Sequence, residues 1–136
     1  MIEHKISKLN SYFDKEISLC KHRSETLLAD DRADEADHEK IKANVYDIFR
    51  TILSVAVKTG KGDSEAVRHF FLLKIQQIPS NWAASYEQAK LHDDMVKMQI
   101  EQIKLDTINN IKEIFTVIWD ASPTQNDEHS RKLNRE

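Results

Sequence analysis

The chain has 136 residues, 40% of them hydrophobic and 32% charged, with a formal net charge of −3, one cysteine, two glycines and two prolines. That is enough to bury a core in one domain, and the shortage of turn formers favours helices with short connections over a sheet. The slightly acidic balance argues against a nucleic-acid binder, no apolar run approaches the ~18 residues of a membrane span, and one cysteine makes no internal disulfide. Met-Ile-Glu-His-Lys at the start lacks the apolar stretch of a signal peptide, so a soluble cytoplasmic protein is expected. Its size and its Ile, Lys and Asn usage point to a bacterial source.

The spacing of Ile2, Ile6, Leu9, Phe13, Ile17, Cys20, Leu27 and Leu28 predicts a first helix over Ile2 to Leu28, with Cys20 on the apolar stripe as a buried, inert thiol. Asp30-Asp31-Arg32 predicts a hairpin turn, since Asp caps helices and tolerates left-handed backbone. A second helix is predicted from Ala33 to Lys58, burying Ile41, Val45, Ile48, Phe49, Ile52, Leu53, Val55 and Ala56. Thr59-Gly60-Lys61-Gly62 ends it. Asp63 or Ser64 caps a third helix that runs to Ile78 before Pro79. Val67, Phe70, Phe71, Leu72, Leu73, Ile75 and Ile78 make that helix apolar almost all round, so it is expected to be the most buried element.

From Ser80 to Ala121 the chain contains neither Gly nor Pro, and apolar residues recur at helical spacing from Leu91 to Ile118. One helix capped by Ser80-Asn81 and roughly 60 Å long is predicted, around which the rest is organised. Asp93 with Lys97 and Glu101 with Lys104 are expected as surface pairs along it. After Ser122 the residues turn polar, and a disordered tail over 122–136 is expected beside a single helical domain over 1–121.

The densest group of titratable residues is Asp30, Asp31, Asp34, Glu35, Asp37, His38 and Glu39. Glu35 and His38 have the three-residue spacing by which di-iron bundles aim two ligands inward, but no other histidine has a Glu three residues before it. Glu-x-x-Glu and Glu-x-x-Asp pairs, which all-α nucleotide pyrophosphohydrolases use to hold Mg²⁺, do not occur. Arg32 and His38 have the loose spacing of a helical ribonuclease pair, within an acidic run that would repel phosphates. Thr59-Gly60-Lys61-Gly62-Asp63-Ser64 lacks the first glycine of a phosphate-binding loop and follows a helix where such a loop follows a strand. Acids gathered at a helix start are explained by the helix dipole alone. His69, Met95 and Met98 read as core or boundary residues.

The fold class expected is therefore all-α, a four-helix bundle-like domain with a long C-terminal helix, forming a homodimer. Ile100, Leu105, Ile108, Phe115, Ile118 and Trp119 spread apolar surface over more than one face of that helix, and self-association would cover it. The function expected is a non-enzymatic interaction or regulatory module without a cofactor. The alternative is a metal-dependent enzyme or metal-binding bundle using Asp34, Glu35 and His38 with Asp93, Asp94 or His92.

Overall fold

The computed structural model describes residues 2–121. All secondary structure there is helical: α1 (Ile2–Ala29), α2 (Ala33–Gly60), α3 (Ser64–Gln77), α4 (Pro79–Leu91) and α5 (Met95–Asp120). The expected polar tail lies outside the described residues.

The long C-terminal helix is broken in two. At the end of α4, Asp93 adopts a left-handed φ of 54°, its N–H donates to Lys90 O, and the Asp94 N–H donates back to Ala89 O at 2.8 Å. These bonds satisfy carbonyls that a helix end leaves unpaired. Asp94 Oδ1 then accepts the Lys97 N–H at 3.1 Å and caps α5. The same chemistry builds the first turn, where Asp31 has φ 59° and the Arg32 N–H reaches Leu27 O at 2.9 Å. Asp31 thus closes α1 and does not cap α2, which begins after Arg32 with no side-chain cap; Arg32 pairs instead with Glu35. Replacing Asp94 by Ala removes one cap, and about 1 kcal/mol of local stability is expected to go with it. Faster hydrogen exchange at the Lys97 and Met98 amides, with the other helices unchanged, is the measurement that checks this.

α3 ends at Gln77, before Pro79 as expected, but the chain goes straight on into another helix. Ile78 keeps right-handed helical angles and Pro79 opens α4, where its missing N–H costs nothing. Ser80 donates its hydroxyl to Gln77 O and is not the cap expected of it.

α1 and α2 form an antiparallel hairpin, held in register by Arg50, which reaches Asp14 of α1 and Asp47 of its own helix at 2.7 Å each. At its far end Gly60 lies against α3, where an added Cβ would stand 2.7 Å from Val67 Cγ2. α5 runs back along the hairpin, and Lys5 Nζ donates to Trp119 O at 2.6 Å while lying 5.4 Å from the Trp119 ring centroid. A carbonyl at the end of α5 is satisfied from α1 in this way.

The core is built around Phe71. Its ring stacks on Phe115 at 4.4 Å, meets Phe49 edge-on at 5.9 Å and lies 6.5 Å from Phe13. Phe115 stacks in turn on Trp119 at 5.2 Å. Leu9, Val45, Leu53, Val67 and Ile111 fill the remaining space, so α1, α2, α3 and α5 all contribute.

Several expected burial patterns differ in the fold. α3 buries Val67, Phe71 and Ile75 and leaves Leu73 exposed, so it is not covered all round; its buried share, 3 of 14 residues, equals that of α2, 6 of 28. Leu28, Ile48 and Val55 are exposed although they lie on expected apolar faces, and His69 is exposed as well. Glu101, expected on the surface, is buried with Lys104 Nζ 3.2 Å from Oε1. Cys20 is buried as expected.

Candidate interaction surface

Burial along α5 fades toward its start. Its buried residues are Glu101, Thr107, Ile108, Ile111, Phe115 and Trp119, and none precedes Glu101. α4 buries only Ala89. The two helices therefore form an arm whose outer half has no core of its own, although helices hold together by burying an apolar stripe against a neighbour.

The tip of the arm is apolar and open to solvent. Leu91 is 74% exposed, Met95 69% and Val96 71%. Ile100, one turn on from Val96 on the same face of α5, is partly covered. Three large side chains this open within six residues are a patch, whereas single exposed apolar residues are ordinary on any protein surface. The expectation that Met95 belongs to a core does not hold, and Met98 is only partly buried.

Charges frame the patch. Asp93 and Asp94 stand at the apex, with Lys90 before them and Lys97 after them, all exposed. Among the described residues Lys90, Lys97 and Asp93 have no ion-pair partner, and the expected Asp93–Lys97 pair is absent. Nearer the body of the molecule, Lys104 Nζ lies 5.7 Å from the Trp82 ring centroid and ties the two helices of the arm together.

Of the six residues expected to form an apolar surface, Ile108, Phe115 and Trp119 are buried within the chain itself. They lie on one stripe of α5 and face the hairpin and α3, so they are core and not surface. Ile100, Leu105 and Ile118 are partly exposed. Sequence reasoning misses Leu91 and Val96 as surface because an unbroken helix from Ser80 places them on its packed stripe. The Asp-Asp pair at 93 and 94 is the available signal, since it repeats Asp30-Asp31.

The residues considered as metal ligands are scattered over different tasks. Asp34 is exposed, Glu35 pairs with Arg32, and His38 is partly buried. Asp93 holds the left-handed turn and Asp94 caps α5. Among the described residues no three His, Cys, Asp or Glu side chains gather closely enough to hold a metal ion.

No family model, curated protein or solved structure matches the chain. The described residues also contain no helix long and apolar enough to cross a membrane.

Proposed function

We propose that the protein is a non-enzymatic interaction module that self-associates through the arm formed by α4 and the start of α5. The observation that carries this reading is the exposed trio Leu91, Met95 and Val96 on the outer half of the arm, where α4 buries only Ala89 and α5 nothing before Glu101. A second copy of the same arm is the occupant that fits. In a two-fold antiparallel overlap of two tips, the acids at one apex face Lys90 and Lys97 of the other, so the surface is complementary to itself in charge as well as apolar. Pairing the arms completes a four-helix bundle from two copies, which is how two-helix hairpins generally find burial. A stable interface buries roughly 800 Å² per partner, more than three side chains supply, so Ile100 and the stems of Lys90 and Lys97 belong to the buried area.

The test replaces Leu91 and Val96 together by Asp. Both side chains point into solvent in the single chain, so the variant folds as before, with unchanged circular dichroism and the same aromatic core. Light scattering is expected to give one chain mass, and the dimer dissociation constant to rise by about a hundredfold or more, the effect of desolvating charges at an interface centre. A variant that keeps the mass of the unmodified protein contradicts the reading.

A further inference from the structure

The apolar patch on the arm contains one side chain that can change its chemical class. The chain has three methionines. Met95 is 69% exposed, Met98 is partly buried, and Met1 lies outside the described residues. Cys20, the other sulfur-bearing residue, is buried in the core. Met95 is the first residue of α5 and stands in the sequence between Leu91, the last of α4, and Val96. No neighbouring helix buries this part of α5, whose first buried residue is Glu101. The thioether of Met95 is therefore open to small oxidants in the single chain, and it belongs to the patch that a second copy would cover.

A thioether packs as a soft apolar group, and oxidation ends that. Its sulfur lone pair attacks one oxygen of hydrogen peroxide. The S–O bond forms as the O–O bond breaks, and the departing hydroxide takes up a proton and leaves as water. The sulfur is oxidised and the peroxide reduced, and the product is a polar methionine sulfoxide. In water the new oxygen accepts hydrogen bonds. Against the leucine and valine of a second arm it has no donor, because Lys90 and Lys97 there face the acids of the other apex. A polar group buried without a partner costs free energy.

We propose that Met95 is an oxidation site through which a peroxide controls pairing of the arms: chains carrying the sulfoxide stay single. A dithiol reductant reverses the step; it becomes a disulfide and the sulfoxide oxygen leaves as water. The inference rests on self-association through the arm. Since the thioether is open in the single chain and covered in the pair, peroxide reacts with single chains, and pairing protects Met95 by mass action.

The experiment treats the full chain with dilute hydrogen peroxide, follows the added oxygen on the Met95 peptide by mass spectrometry, and measures the solution mass before and after. Each buried sulfoxide is expected to weaken pairing about tenfold, and a dimer that buries two of them about a hundredfold. Met95→Leu is expected to give the same dissociation constant before and after peroxide, whatever that constant is, while Met98→Leu responds as the unmodified chain does. The rate of oxidation at Met95 is expected to fall as the chain concentration rises through the dissociation constant. A chain oxidised at Met95 that pairs as tightly as before overturns the proposal and leaves the self-association reading standing. A response to peroxide that persists in Met95→Leu overturns it too, because another residue then carries it. A single-chain mass before any peroxide is added overturns both.

Discussion

Replacing Phe71 by Ala is expected to lower the stability of the fold by about 3–5 kcal/mol, close to the most that a single core truncation costs. The ring is fully buried and touches three other rings that come from α1, α2 and α5. Removing it opens a void lined by these three rings, of which Phe115 is held in place by its stacking on Trp119, so relaxation recovers little. A domain of this size has a total stability of roughly 5–15 kcal/mol, and the variant sits near the edge of folding. Urea unfolding checks the figure through the change in midpoint. Val117→Ala is the control, because Val117 is exposed on α5 and its loss is expected to change stability by no more than about 0.5 kcal/mol. A Phe71→Ala protein that loses less than about 1 kcal/mol would mean that the aromatic cluster is not the centre of the core.

The second large effect is an alkaline limit to stability. Burial pushes the Cys20 thiol up to about 11 from its ordinary 9.0, helped by the negative charge of Glu39 beside it. Burial also raises Tyr12 and Tyr46 above the usual 10.0; for Tyr46 its hydrogen bonds with Tyr12 and Asn110 partly offset this. All three groups are neutral in the fold and ionise more easily in the unfolded chain. Their contribution is therefore complete below pH 9 and is lost as pH rises, first through Cys20 and then through the tyrosines. By pH 10.5 Cys20 alone accounts for about 2 kcal/mol, since a tenfold change in an ionisation constant is worth about 1.4 kcal/mol. Urea midpoints at pH 8 and pH 10.5 measure the loss, and Cys20→Ala is expected to reduce the difference. A midpoint that does not move up to pH 11 contradicts the burial of these groups. The same raised thiol makes Cys20 a poor nucleophile, which agrees with its place on the apolar stripe.

The parts of the fold that rest on local chemistry are legible in the chain. Leu9, Phe13, Ile17 and Cys20 sit where their spacing puts them, and the turn at Asp30–Arg32 forms for the reason that its residues suggest. The break at His92–Asp94 carries the same chemistry, yet it lies inside a run of strong helix formers without Gly or Pro. Apolar periodicity continues through it, so pattern alone gives one helix where there are two. Asp takes the left-handed position in both turns, a place more often held by Gly, and that substitution hides a turn from any search for glycine.

That break also decides which apolar residues are covered. Freed from the axis of α4, α5 lies along the α1–α2 hairpin and buries Ile108, Ile111, Phe115 and Trp119. The exposed apolar surface moves from the end of the C-terminal helix to its start. Which of several apolar stripes meets the core depends on where neighbouring helices lie, and helical spacing contains no information on that. The groove lined by Cys20, Lys42 and Asp106 depends still more on tertiary structure. Its walls come from residues near 20, 42 and 106, and nothing in the order of those residues brings them together.

Self-association through the arm is the claim on which the proposed function depends, and the most direct test is the mass of the unmodified full chain by sedimentation equilibrium over a wide concentration range. The expected result is about twice the 15.8 kDa of one chain, falling toward a single mass only on dilution. A mass of one chain at every concentration would contradict it, and would leave Leu91, Met95 and Val96 as surface without a partner of their own kind.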